Sequence, residues 1–456
     1  MAASTTSANA AQYFAHYAEP EAALAQLIDE SYLAALVVPV RGEAASVLDG
    51  FRSALEHAPG RVLVILVVNA TESASLHTHS ENRRLLAHLA GHFPVQHALR
   101  HPDSKARAVL GHADRYDVLW LDCASEGERL PERTGVGSVR KMGGDLAAAL
   151  WARGQLACPR VASTDADVTL PDDYFAVLVR DVAEAQRSSA WLWPFQHRPG
   201  GDQDIDAATV LYEISLRYYV LVLARARSPY AYQTVGSTLC IDVPAYLSVR
   251  GFPKREAGED FHVLDKLAKV GPLRRVHSAP LAIRARASDR VPFGTGRRSR
   301  EIAELTAAGE HFVLYAPAVF DALGAVIAAL EHFARAARVA AFDQVLNEGS
   351  PGLAPVAREV LMGLGLYVAL EQSARQAPPG ATLRRRVHTW FNALRSLRFV
   401  HGLRDRALPS LPWQEALGSA SFLQEPFADG PEPSVVCRAL SLTEAALPPQ
   451  VGPTLL

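Results

Sequence analysis

The chain reads as an open α/β fold with a mostly parallel central sheet, followed by a C-terminal helical region. Three observations predict this. Up to about residue 300, short continuous apolar runs alternate with segments of helical periodicity, the pattern of strands covered on both faces and joined by right-handed crossovers. Those runs end in Pro, Gly and charged residues, as buried strands end in loops. The strand pattern then fades after "LAIRARASDRVPFGTGRRSR" (281–300). With 456 residues, 49% of them apolar and 21% charged, the chain suffices for two domains, or for one large domain with an extension.

A polar start precedes "LAALVVPV" (33–40), an apolar run ended by Pro39 and "RGE", which reads as the first buried strand. "ASVLDGFRSALEHA" has helical periodicity, and "VLVILVVNA" (62–70) is the second strand, followed by the helix "SENRRLLAHLAGHF". "YDVLWLDC" is a strand or part of a loop, "VGSVRKMGGDLAAALWARG" a helix, and "CPRVASTDADV" the next strand. "AWLWPFQH" reads as an aromatic strand, "DAATVLYEISLRYYVLVLARAR" as a long buried helix, and "TVGSTLCIDVPAYLSVRGF" as short strand-like pieces. "EDFHVLDKLAKVG" is a helix with Phe261, Leu264 and Leu267 on an apolar stripe. Four segments follow: an N-terminal extension (1–30), an α/β domain (31–300), a helical accessory region (301–430) and a loop-rich tail (431–456).

Composition excludes several classes. A net charge of −2 supplies no field for gathering nucleic acid or anionic lipid. The four cysteines, Cys123, Cys158, Cys240 and Cys437, lack zinc-knuckle or CxxC spacing. The N-terminus has no basic segment followed by an apolar run, so it does not read as a secretory signal. Two long apolar stretches carry Glu213 with Arg217, and Asp321, and read as helices buried in protein rather than transmembrane spans. A cytoplasmic protein is expected, and its apolar helical faces can also serve a homodimer.

The feature demanding an explanation is "VASTDADVTL", where Asp165 and Asp167 stand one residue apart at the end of a buried strand. Crowded carboxylates are unfavourable unless something positive neutralises them. Such a pair can cap a turn. At the carboxyl end of a strand in an open α/β sheet it can instead hold a divalent cation that binds phosphate oxygens. A second acidic pair, Glu259–Asp260, opens the helix "EDFHVLDKLAKVG". It is suited either to helix N-terminal electrostatics or to general-base chemistry.

In order along residues 33–290, "LVVPVRGE", "VILVVNATES", "GVGSVRKMGGDLAAAL", "STDADVTLPDDYF" and "GSTLCIDVPAYLSVRGFPKREAGEDFHVLDKLAKVG" resemble the motifs of a family 2 glycosyltransferase of the GT-A fold. That resemblance implies a transferase, in the first instance a hexosyltransferase. It would move a sugar from a nucleotide-diphosphate-sugar donor to an acceptor hydroxyl, with Mg²⁺ or Mn²⁺ bound at the DxD motif. Carried over by residue, Asp165 and Asp167 take the metal and diphosphate, Asp260 is the base, and Glu259 is its neighbour at the acceptor. Pro39, Val40 and Glu43 line the nucleotide end, Asn69 and Glu72 meet the base or ribose, and Arg140 holds phosphate. Asn69 stands where an acidic residue is more usual, and Lys141 where asparagine is often found. His277 is a candidate third metal ligand, and Arg290, Arg297 and Arg298 form a candidate lid over the diphosphate. The resemblance implies a single inverting displacement.

Two alternatives stay open: a sugar nucleotidyltransferase, and a non-catalytic sugar-nucleotide-binding protein. Trp191, Trp193, Phe195 and His197 are candidates for an acceptor-stacking platform, with the core as the competing place for at least half of them.

Overall fold

The computed structural model describes residues 2–104, 106–180, 188–288, 294–420, 422–423 and 432–456. The chain forms two units: Met1–Pro199 with Thr234–Leu267 and Leu273–Gly294, and Gly200–Gln233 with Ala268–Pro272 and Thr295–Leu456.

In the first unit the strands are, in chain order, β1 (Ala34–Val40), β2 (Val62–Asn69), β3 (Gln96–Leu99), β4 (Arg107–His112), β5 (Tyr116–Cys123), β6 (Arg160–Ser163), β7 (Val168–Thr169), β8 (Ala190–Leu192), β9 (Phe195–Arg198), β10 (Leu239–Asp242), β11 (Leu273–Arg275) and β12 (Leu281–Arg284). The main sheet runs β11-β8-β10-β6-β1-β2-β5-β4-β3, while β7, β12 and β9 make a smaller one. β2 is buried along its whole length, as its unbroken apolar run requires of a central strand.

The sheet is mixed, which corrects the expectation of a mostly parallel one. β1 pairs in parallel with β2 and β6, β2 with β5, and β8 with β11. β10 is antiparallel to β6 and β8, and β4 to β3 and β5. Connection length explains the β3–β5 edge. Residues 100–106 and 113–115 are too few for the crossover of about a dozen residues that a parallel pair needs.

Other differences also have local causes. "AWLWPFQH" breaks into β8 and β9 at Pro194, which has no N–H for the ladder, so its second half joins the smaller sheet. "ASVLDGFRSALEHA" forms a 3₁₀ segment (Ala45–Gly50) and a short helix (Arg52–Glu56). "VPAYLS" is helical (Val243–Ser248), with the Asp242 side chain accepting from Ala245 N–H at 3.1 Å as its N-cap.

Helix Val136–Ala152 packs on β1, β2 and β6. Gly143 does not break it; a Cβ there would stand 2.4 Å from Val37 Cγ1, so the glycine permits close approach to the sheet. On the same helix, Asp145 is fully buried. It accepts hydrogen bonds from Tyr13 (2.6 Å), Tyr246 (2.7 Å), Lys141 Nζ (2.8 Å) and Glu19 N–H (2.7 Å). Lys141, the departure noted in the sequence, thus belongs to an anchor that ties helix Ala2–His16 and the 3₁₀ segment Pro20–Leu27 to the α/β framework.

The second unit is largely helical around its own core, in which Val319, Leu323, Val326, Leu330 and Phe333 of helix Pro317–Ala336 meet Ile214, Tyr218 and Leu221 of helix Gln203–Arg225. Both helices are long and apolar enough to cross a membrane, and the apolar window of Pro317–Ala336 is 61% buried in the protein and that of Gln203–Arg225 56%. The Arg217 guanidinium pairs with Glu213 at 2.6 Å and Glu444 at 2.9 Å. The tail, expected as loop, carries helix Pro433–Ala445, whose Val436 and Leu440 are buried.

Replacing Asp145 with alanine would leave the Lys141 ammonium buried without its counter-charge. Loss of one partner of a buried pair typically costs about 3–5 kcal/mol. Urea unfolding of Asp145→Ala is expected to show a loss of that order.

Candidate functional site

Because β1, β2, β5 and β6 run in the same direction, their carboxyl ends open on one edge of the sheet. In open α/β sheets ligands bind there. The turns at that edge enclose a cleft of about 360 Å³ in the first unit. Pro39 near the end of β1 and Arg41 and Glu43 after it, Asn69 at the end of β2 and Thr71 and Ser73 after it, and Asp165, Ala166 and Asp167 after β6 line it. Residues 132–136, Glu256 and Arg286 complete the lining.

Asn69 works first as a clasp. Its Nδ2 donates to the carbonyls of Val40 (2.8 Å) and Val67 (3.1 Å). Asn82 donates to the Asn69 carbonyl at 2.9 Å and accepts from Gly42 N–H at 2.8 Å. The amide donors are therefore spent on the framework, and an acceptor oxygen is what Asn69 has left for a ligand. Val40 is fully buried and contributes its carbonyl. Glu72 pairs with Arg129 and is 65% exposed, while its neighbours Thr71 and Ser73 line the cleft. Ser73 donates through Oγ (2.5 Å) and N–H (2.9 Å) to Glu132, which lowers the pKa of that carboxylate.

The aspartate pair is neutralised from both sides. Arg140, 3% exposed, points from helix Val136–Ala152 and donates to Asp165 Oδ1 at 2.5 Å, Glu259 Oε1 at 3.0 Å and Ser163 Oγ at 2.7 Å. Arg286, two residues beyond β12, donates to both oxygens of Glu43 (2.9 and 2.7 Å) and lies 2.8 Å from Asp167 Oδ2. Burial raises the pKa of Asp167, Arg286 opposes that shift, and Asp165 and Glu43 reinforce it. With all four ionised, Glu43, Asp165, Asp167 and Glu259 set four negative charges against the two guanidinium groups, leaving an excess of two. Oxygen donors with that excess suit Mg²⁺ or Mn²⁺, which nucleotide sites commonly bind through one or two carboxylates plus phosphate oxygens. Among the described residues no three His, Cys, Asp or Glu side chains group as a metal site, so water and phosphate would supply the remaining positions. His277, between β11 and β12, is exposed.

Glu259 is 5% exposed and turned toward Arg140, which makes it an anchor for that guanidinium. Asp260 lies beside them: the Cβ that Gly236 lacks would be 2.8 Å from Arg140 Nη2 and 3.3 Å from Asp260 Oδ2. Helix N-terminal electrostatics predict a readily ionised Asp260. The structure reverses this. Burial and then the Glu259 charge push its pKa up to about 7, although Phe261 N–H donates to it at 2.7 Å. Glu256, rather than Glu259 or Asp260, lines the cleft among the described residues. It is brought there by residues 253–256 crossing the start of helix Val136–Ala152, where a Cβ on Gly137 would stand 2.2 Å from the Pro253 carbonyl.

Of the arginines expected over the diphosphate, Arg290 lies outside the described residues. Arg297 and Arg298 belong to the second unit, each 3.0 Å from Glu301. Trp191, Trp193 and Phe195 are buried, Trp191 under the Arg160 guanidinium (3.9 Å) and Trp193 against Tyr174 (4.9 Å), so they are core rather than platform. His197 is half-buried beside Phe195. Sequence reasoning passed over Arg286. Its signal was the alternation in "LAIRARA", which puts Arg284 and Arg286 on one face of an extended segment.

No family model and no curated protein matches the chain. Among solved structures, it is remotely similar to a mannosyltransferase from Pyrobaculum calidifontis in complex with GDP-Man and Mn²⁺. The TM-score is 0.32 at 14% identity, covering 97% of this chain and 99% of that one. A superposition that loose carries no functional assignment by itself.

The raised pKa of Asp260 has a definite sign in stability. The unfolded carboxyl ionises near 3.9, the folded one near 7, so between those values the folded state binds more protons and its stability falls as pH rises. Asp260→Asn lacks this component. Its melting temperature is expected to gain on that of the unmodified protein from about pH 4 to about pH 7 and to keep a constant lead above; parallel melting curves across pH check this.

Proposed function

We propose that the chain is a glycosyltransferase that moves a sugar from a nucleoside-diphosphate sugar to an acceptor hydroxyl. One observation carries the reading: Asp165, Asp167, Glu43 and Arg286 converge in a cleft at the carboxyl ends of parallel strands, with an excess of negative charge suited to a divalent cation. Asn69, Thr71 and Ser73 form the wall for the nucleoside, and Asp165 and Asp167 face the diphosphate. A cation held there supplies positive charge against the leaving diphosphate. Arg140 fixes Asp165, and Glu259 fixes Arg140, so the carboxylate is held in place before the donor arrives. Asp260, partly exposed and beside Arg140 and Gly236 rather than in the cleft lining, takes the proton of the acceptor hydroxyl. A pKa of about 7 is the poise a general base uses near neutral pH. Attack from the face opposite the diphosphate inverts the anomeric carbon.

A nucleotidyltransferase would place a glycine-rich, basic phosphate loop after the first strand. Here that turn, "RGEAAS", carries a single Arg and a single Gly, and its Glu43 is committed to Arg286. A binding protein without turnover is separated by the kinetic test that follows.

Release of nucleoside diphosphate from a panel of sugar nucleotides is expected to require Mg²⁺ or Mn²⁺, to stop in excess chelator and to resume on replenishment. Asp167→Ala should abolish it in a folded protein. Asp260→Asn should lower transfer about 10²–10⁴-fold while leaving donor affinity nearly unchanged, and should remove a rise in rate centred near pH 7. Full activity in chelator would sink the metal assignment, and near-native transfer by Asp260→Asn would reject that residue as the base.

A further inference from the structure

The two arginines that neutralise the aspartate pair are placed differently. Arg140 is 3% exposed and bound within the framework, whereas Arg286 is 31% exposed and lines the cleft. Nη1 and Nη2 of Arg286 each donate to Glu43, and Nε stands 2.8 Å from Asp167 Oδ2 as an ion pair. The Nη1–Nη2 fork that grips Glu43 is planar, and the same fork matches two phosphate oxygens. The same guanidinium also occupies carboxylate oxygens that a divalent cation would need.

We propose that Arg286 is an internal counter-ion for this carboxylate site: it holds Glu43 and Asp167 in the ligand-free protein and passes to the diphosphate when a nucleoside diphosphate and its divalent cation bind. This rests on the nucleotide-sugar reading above. A cation arriving alone must displace a bidentate guanidinium and leave it without an anion, next to a new positive charge. A cation arriving with a diphosphate brings the anion that the guanidinium moves to. Cation and nucleotide therefore help each other to bind, and by linkage the coupling is reciprocal. The arrangement discriminates against occupation of the site by a cation without its nucleotide.

The test uses the full chain with Arg286→Gln, which removes the charge, and Arg286→Lys, which keeps the charge and loses the fork; melting curves verify that each is folded. Mn²⁺ affinity without nucleotide is read by electron paramagnetic resonance, and affinity for GDP and for UDP in excess Mn²⁺ by calorimetry. In Arg286→Gln, Mn²⁺ alone should bind about 5-fold or more tighter, while the better of the two nucleotides binds about 5-fold or more weaker. The lysine variant should fall between. A merely structural ion pair would shift both affinities in the same direction or neither. Either of those results, with Mn²⁺-dependent turnover retained in the unmodified protein, overturns the counter-ion proposal and leaves the transferase reading standing. Absence of Mn²⁺ binding to the unmodified protein, even with nucleotide, overturns both.

Discussion

The buried guanidinium of Arg140 is the interaction on which the site depends. Taking a charge out of water costs several kcal/mol, and the cost is offset only where its partners are held in good geometry. Here those partners come from separate parts of the chain: Asp165 and Ser163 from the end of β6, and Glu259 from the first turn of helix Glu259–Leu267. One side chain thus fixes the carboxylate edge of the cleft relative to the element bearing Asp260. It also explains why Glu259, beside the candidate base, acts through Arg140. Burial, and after it the Glu259 charge, raises the pKa of Asp260 while Arg140 opposes the shift. This ion pair thus contributes to the proton affinity of the site as well as to its geometry.

A second constraint is direction. The cleft exists because four neighbouring strands end on the same edge, and turns leaving that edge supply its walls. The antiparallel strands flank this parallel centre and leave its edge unchanged. The clasp of Asn69 and Asn82 shows how turns are held there without regular structure: side-chain amides satisfy the backbone groups that the ladders leave over.

Two kinds of positive charge meet the carboxylates. Arg140 is a permanent part of the fold, and its burial leaves it no alternative partner. Arg286 is solvent-accessible. Burial therefore separates a structural cation from one that a ligand can recruit, although both are arginines on aspartates two residues apart.

The sequence by itself determined the central strands, because continuous apolar runs such as 62–70 satisfy no other environment than a covered sheet. It determined the main helices through their periodicity, and it singled out Asp165 and Asp167 because crowded carboxylates at a strand end demand a counter-charge. Pairing direction at the β3–β5 edge, the division of "AWLWPFQH" between two sheets and the burial of its tryptophans were decided by tertiary structure. They depend on which strand comes to lie beside which, a non-local matter that periodicity does not encode. The counter-charge itself was decided there too. Arg286 is 119 residues from Asp167 and 243 from Glu43, and only the folding of β12 beside β7 brings its guanidinium to both. The same holds for the proton affinity of Asp260: the helix start visible in sequence favours a charged carboxylate, but desolvation and the neighbouring charge outweigh it, and both exist only once the chain has closed around the site.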